Sequence, residues 1–123
     1  MLFELALRRG GMTYPLIVTR DGQEAVEYLS GTGSYADRLL HPLPSLIVLD
    51  LKMPKMTGFD VLAWLGSQPG LQHIPAVILS SSSYPQDMRQ ATLLGARDYY
   101  VKPHSLAELI ALLQAATTRW FTL

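Results

Sequence analysis

A carboxylate, a hydroxyl and an ammonium stand in this chain at the ends of three short apolar runs. Leu46-Ile47-Val48-Leu49 ends on Asp50, Ala76-Val77-Ile78-Leu79 ends on Ser80, and Asp98-Tyr99-Tyr100-Val101 ends on Lys102-Pro103. Asp50 is followed at once by Leu51-Lys52-Met53-Pro54-Lys55-Met56-Thr57-Gly58, in which Pro54 keeps the backbone extended and Gly58 lets it turn. A carboxylate so placed can act as a nucleophile, and a hydroxyl and a lysine charge can hold an anionic group against it. Ser80-Ser81-Ser82-Ser83 offers four hydroxyls; spacing favours Ser80, with Ser81 next.

The elements that must position these groups alternate along the chain. Parallel strands covered on both faces read as continuous apolar runs, and ligands gather outside their carboxyl ends. Strands are expected at Tyr14 to Thr19, Leu46 to Asp50, Ala76 to Ser80 and Arg97 to Val101. Leu2 to Leu7, ending in Arg8-Arg9-Gly10-Gly11, carries the pattern of a helix end. Asp21 suits an N-cap for a helix bearing Ala25, Val26, Tyr28 and Leu29. Breakers from Ser30 to Ser45 predict an extended loop. Further helices are expected from Phe59 to Ser67, from Pro85 to Leu94 with Gly95 as the stop, and to Thr118 after a capping-box pair, Ser105 and Glu108. Strand alternating with helix implies an α/β fold, a doubly wound parallel sheet with right-handed crossovers.

With 123 residues the chain fits one domain, residues 1–123. Ten basic residues against ten acidic ones give no net charge, so the electrostatic footprint of a nucleic-acid binder is missing. There is no cysteine for a disulfide framework, and no apolar stretch approaches the roughly 20 residues that span a bilayer. Met1-Leu2-Phe3-Glu4 lacks the basic start of a signal peptide, so a cytoplasmic location without a membrane partner is expected. His41, His73 and His104 have no metal-ligand spacing.

Asp50-Leu51-Lys52-Met53-Pro54 with Gly58, Ser80 and Lys102-Pro103, thirty and then twenty-two residues apart from acid to hydroxyl to amine, resembles the receiver domain of two-component response regulators. The likeness runs to about Trp120. It implies a flavodoxin-like, CheY-like fold and a non-enzymatic signalling role in which Asp50 accepts a phosphoryl group from a sensor histidine kinase. In such a role Lys102 pairs with the phosphoryl oxygens, aimed by a cis Lys102–Pro103 peptide. Ser80 hydrogen-bonds the phosphoryl group, and Tyr99 turns inward as a switch. The resemblance further implies Mg²⁺ held by Asp50 and the backbone carbonyl of Lys52. Receivers have five strands, whereas this sequence begins after the first strand and its acidic pair, so an N-terminally truncated fold with weakened or lost metal binding is expected.

Gly31-Thr32-Gly33-Ser34-Tyr35-Ala36-Asp37-Arg38, Pro42-Leu43-Pro44 and Gly58-Phe59-Asp60-Val61-Leu62-Ala63-Trp64-Leu65 resemble single-domain regulators paired with bacterial phytochrome kinases. Signalling would then change a protein surface. The family's usual choice is the face of the last two helices and last strand, to which Ala91, Leu94, Tyr100, Leu106 and Leu113 could contribute, though their helical spacing also fits plain core, and a homodimer through it is among the expected assemblies. A phosphorylation-independent interaction module is the alternative. A free-standing aspartyl phosphatase is disfavoured, because the second acid such enzymes carry two residues on is here Lys52.

Overall fold

Three short β-branched and apolar runs pair in register, each joined to the next through a helix. Strand β1 is Ile47–Leu49, β2 is Ala76–Ser80 and β3 is Asp98–Val101. They form a parallel sheet in the order β1-β2-β3, with Leu49 opposite Ile78 and Ser80 opposite Val101. This is a computed structural model, and it describes Arg9, Gly11, residues 21–52 and residues 55–121, with side chains through Arg119. The expected strand Tyr14 to Thr19, most of the first helix and Met53-Pro54 lie outside the described residues.

Helix α1 spans Gly22–Ser30, α2 Gly58–Gly66, α3 Pro85–Leu93 and α4 Leu106–Phe121. Asp21 caps α1 as its type predicts, accepting from the Glu24 amide at 2.8 Å. Thr57 and Asp60 form a reciprocal capping box at α2. Proline at the first position of α3 suits a place where no amide is needed, and Gly95, at φ 107°, follows its end. Ser105 accepts from the Glu108 amide at 3.1 Å, which starts α4.

The middle strand carries the core. All five residues of β2 are buried, and Ile78 packs with Leu49 of β1, Val61, Leu62 and Leu65 of α2, Ala91 of α3 and Leu29 of α1. Each such aliphatic side chain contributes about 1.5–3 kcal/mol through burial. The chain divides into two compact units, residues 19–101 and residues 1–18 with 102–123, and helix α4 belongs to the latter. Its Leu109, Leu113, Ala116 and Thr117 are buried, a stripe spaced as one face of a helix.

The segment after α1, expected to be an extended loop, is built rather than loose. A 3₁₀ turn occupies Gly33–Tyr35. Arg38 donates from Nη1 to the Tyr28 and His41 carbonyls at 2.8 and 3.2 Å, and from Nη2 to the Leu29 carbonyl at 2.7 Å. Carbonyls of a last helical turn are short of main-chain donors, and that of Tyr28 shares the Gly31 amide with Glu27, so a guanidinium is a fitting cap for this end. Tyr28 donates to the Pro42 carbonyl at 2.8 Å, and the rings of Tyr28, Tyr35 and His41 meet at tilted or edge-on angles. His41 is thus part of a small aromatic cluster. Leu39 and Leu40 are held outward, 94% and 73% exposed.

Candidate functional site

Asp50 leaves β1 at its carboxyl end, half-buried, with Oδ1 accepting from the Lys52 amide at 3.1 Å. That bond turns the chain away from the sheet immediately after the acid. Two glycines then fix the segment by close approach of backbone to backbone. A Cβ on Gly58 would lie 2.5 Å from the Asp50 carbonyl oxygen, and one on Gly22 would lie 2.3 Å from the Met56 carbonyl oxygen. Gly58 was expected to supply a turn; its role is clearance, because the first turn of α2 presses on the backbone of the acid itself. Lys55 sits between these points at φ 66°, and its ammonium is 3.6 Å from Asp21 Oδ2.

Ser80 is the last residue of β2 and is fully buried, so the spacing selected the innermost of the four hydroxyls. Its Oγ accepts from the Ser82 amide at 3.2 Å. Ser81 is exposed and Ser82 is buried. Ser82 Oγ donates to Asp87 Oδ2 at 2.5 Å and accepts from the Tyr84 amide at 3.3 Å. Tyr99, from β3, packs its ring against the core and donates its hydroxyl to the Ser82 carbonyl at 2.8 Å.

Lys102 is exposed and follows Val101, the β3 residue paired with Ser80. The Lys102–Pro103 peptide is trans, as is every described peptide bond. The family resemblance had implied cis; an X–Pro pair favours trans by only about 0.5–1 kcal/mol, so the dipeptide by itself does not decide the isomer. Of the residues that could line an outer face, Ala91 and Leu113 are buried, as the core reading of their helical spacing allows, whereas Tyr84, Leu93 and Val101 are exposed.

Among the described residues no three histidine, cysteine or acidic side chains gather as a metal site. Mg²⁺ takes one or two carboxylates and completes its shell with other oxygens and waters, and Asp50 supplies one such carboxylate at the end of β1. No described helix is long and apolar enough to cross a membrane.

An acid and a buried hydroxyl thus close adjacent parallel strands. Residues 2–114 match the model of the response regulator receiver domain. The chain belongs to that family. Response regulator Rcp1 of Synechocystis is 33% identical, over 97% of this chain and 79% of its own length. The Mn²⁺-bound form of Rcp1 superposes with a TM-score of 0.85 at 32% identity, covering 98% of this receiver and 85% of that chain. The phosphorylated cyanobacterial phytochrome response regulator RcpA gives a TM-score of 0.89 at 34% identity, over 98% of this receiver and 84% of that chain. The receiver therefore has the CheY-like fold of a parallel sheet with helices.

Proposed function

We propose that this receiver is a phosphoacceptor: Asp50 takes a phosphoryl group from the phosphohistidine of a sensor histidine kinase. The P–N bond to the imidazole breaks as a P–O bond to an Asp50 carboxylate oxygen forms, and the departing imidazole regains a proton. The observation that carries this reading is the juxtaposition of Asp50 at the end of β1 with a buried Ser80 at the end of β2, in a chain of this family.

Phosphoryl transfer asks the protein mainly for position and charge neutralisation. Asp50 is positioned by the glycine-packed backbone behind it. The Ser80 hydroxyl donates to a phosphoryl oxygen, and the family resemblance gives Lys102 the role of the cation that pairs with the phosphoryl oxygens. Asp50 and the Lys52 carbonyl would hold Mg²⁺, whose charge offsets that of the phosphoryl oxygens. Tyr99 reports the change through its bond to the Ser82 carbonyl. Likeness to Rcp1 and RcpA supports a phytochrome-type kinase as partner, and the whole chain acting as one receiver domain. The output is a protein surface that includes Tyr84, Leu93 and Val101, with contact between two copies across the last strand and last two helices as one form of it.

Intact mass of the chain after acetyl phosphate and Mg²⁺ tests this. One added phosphoryl group, absent from Asp50→Asn, is expected. No gain in a chain that circular dichroism shows folded would overturn the acceptor reading and leave a phosphorylation-independent interaction module.

A further inference from the structure

Leu39 and Leu40 stand almost wholly in solvent, yet the backbone beneath them is tied down. Asp37 Oδ1 accepts from the Leu39 amide at 3.0 Å, the His41 amide donates to the Asp37 carbonyl at 2.8 Å, and Arg38 anchors the turn to the end of α1. An apolar pair held this way gives up little loop freedom when it is covered, which lowers the cost of docking.

A hole of matching size opens at the same end of the sheet. The loop enters β1 at Ile47, whose amide donates to the Pro75 carbonyl at 2.9 Å, and Pro75 precedes the first residue of β2. Beside that entry Leu62, Leu65, Leu71, Ile74 and Leu94 line a cavity of about 190 Å³. A cavity of roughly 150 Å³ with such a lining takes up benzene, and a leucine side chain is smaller than that ring. The rim is held in place: Gln72 Nε2 donates to the Gly66 carbonyl at 2.8 Å, and Arg97 Nη2 to the Gln72 carbonyl at 3.2 Å. Arg97 on the rim is exposed, and so is Asp37 beside the leucines, so knob and hole carry opposite charges.

We propose that a second copy of this chain covers the leucines: the Leu39 and Leu40 knob of one protomer enters the hole between the ends of α2 and α3 of its partner, and the partner returns the contact. Complementarity selects this occupant, because one chain presents both halves, matched in size and in charge. Since both halves sit at the amino end of the sheet, one two-fold axis satisfies the two contacts together and closes the pair. Knob and hole at opposite ends would build an open chain instead. Asp50 follows β1 at its carboxyl end, so both acids stay uncovered. The pairing uses neither β3 nor α4, and it does not depend on Asp50 being an acceptor.

The test is dilution of the ¹⁵N-labelled full chain from about 1 mM, because two leucines a side make a small interface of the weak class. Amides of Leu39, Leu40, Gly66, Gln72 and Gly95 are expected to shift together, and sedimentation equilibrium to show a dimer at the highest concentration. Leu39→Glu with Leu40→Glu, both at exposed positions, should weaken the pair about a hundredfold, tenfold for each lost contact. Gly66→Phe should do the same from the other side. An added Cβ at Gly66 meets nothing within 4 Å, so the fold stands, as circular dichroism would verify. Mixing decides the geometry. In labelled Leu39→Glu/Leu40→Glu titrated with unlabelled Gly66→Phe, one intact knob meets one intact hole, so the amides of Gly66, Gln72 and Gly95 should shift while those at positions 39 and 40 stay. A wild-type chain that remains monomeric at about 1 mM overturns the proposal. So does a dimer that survives Leu39→Glu/Leu40→Glu, or a mixture in which the hole amides do not move.

Discussion

Two loops leave neighbouring parallel strands in this receiver, and they are held by different kinds of force. The loop after β1, carrying Asp50, is fixed by steric contact: Gly58 against the Asp50 carbonyl and Gly22 against Met56. The loop after β2, carrying Ser80, is fixed by hydrogen bonds among Ser80, Ser82, Tyr84, Asp87 and Tyr99. Packed backbone has almost no soft direction, while hydrogen bonds can be exchanged at little net cost. A nucleophile needs the first kind of support. A hydroxyl that must respond to a newly attached group needs the second.

The contrast breaks most readily at the glycines. Gly58→Ala sets a methyl against main-chain atoms that cannot rotate away, so a loss of about 3 kcal/mol, the upper end for overpacking, is expected in urea unfolding. Gly22→Ala should cost a similar amount. A loss below about 1 kcal/mol at both sites would mean that the acid's loop yields, and the distinction between the loops would collapse. On the hydrogen-bonded side, Ser82→Ala strands the Asp87 carboxylate and the Tyr84 amide, and half-buried Asp87 can be rehydrated. The expected loss is about 1–2 kcal/mol, measured as a lower urea midpoint at unchanged slope.

The smallest effect is one of sign. Lys55 adopts φ 66°, which costs a non-glycine residue about 1–2 kcal/mol, and its ion pair with Asp21 is 68% exposed on the lysine side. Lys55→Gly should leave stability unchanged or raise it by up to about 1 kcal/mol, with little dependence on salt. A clear destabilisation would assign the loop's rigidity in part to charge and sharpen the account of it.

Much of this was legible in the sequence, for identifiable reasons. Strands β1 to β3 were readable because short runs rich in apolar and aromatic residues, bounded by Pro, Gly and Ser, leave few alternatives, and Ser80 was singled out by its spacing from Asp50. Asp21 and Ser105 were readable as caps because capping is local. Features that depend on residues distant in sequence were not. The clearance at Gly58 involves a carbonyl eight residues earlier, and the two ends of the Gly22 contact lie thirty-four residues apart. Ser82 resembled its three serine neighbours until Tyr99 and Asp87 were placed around it. Thr57 and Asp60 form a capping box, yet the pattern usually sought has Glu or Gln at the fourth position.

Arg38 carries a consequence for how this molecule can vary. Its guanidinium reaches carbonyls nine and ten residues back, and Gly31, at φ 69°, leaves room for it where a Cβ would sit 2.9 Å from Nη2. The stretch from Gly31 to Arg38 is therefore a ruler of fixed length rather than a slack tether. Substitutions at Leu39 and Leu40 leave the ruler intact, so folding itself permits a change of letter at the tip. A single insertion or deletion between Gly31 and Arg38 carries the guanidinium off the helix end. Drift in this segment is thus expected to rewrite residues while preserving their count.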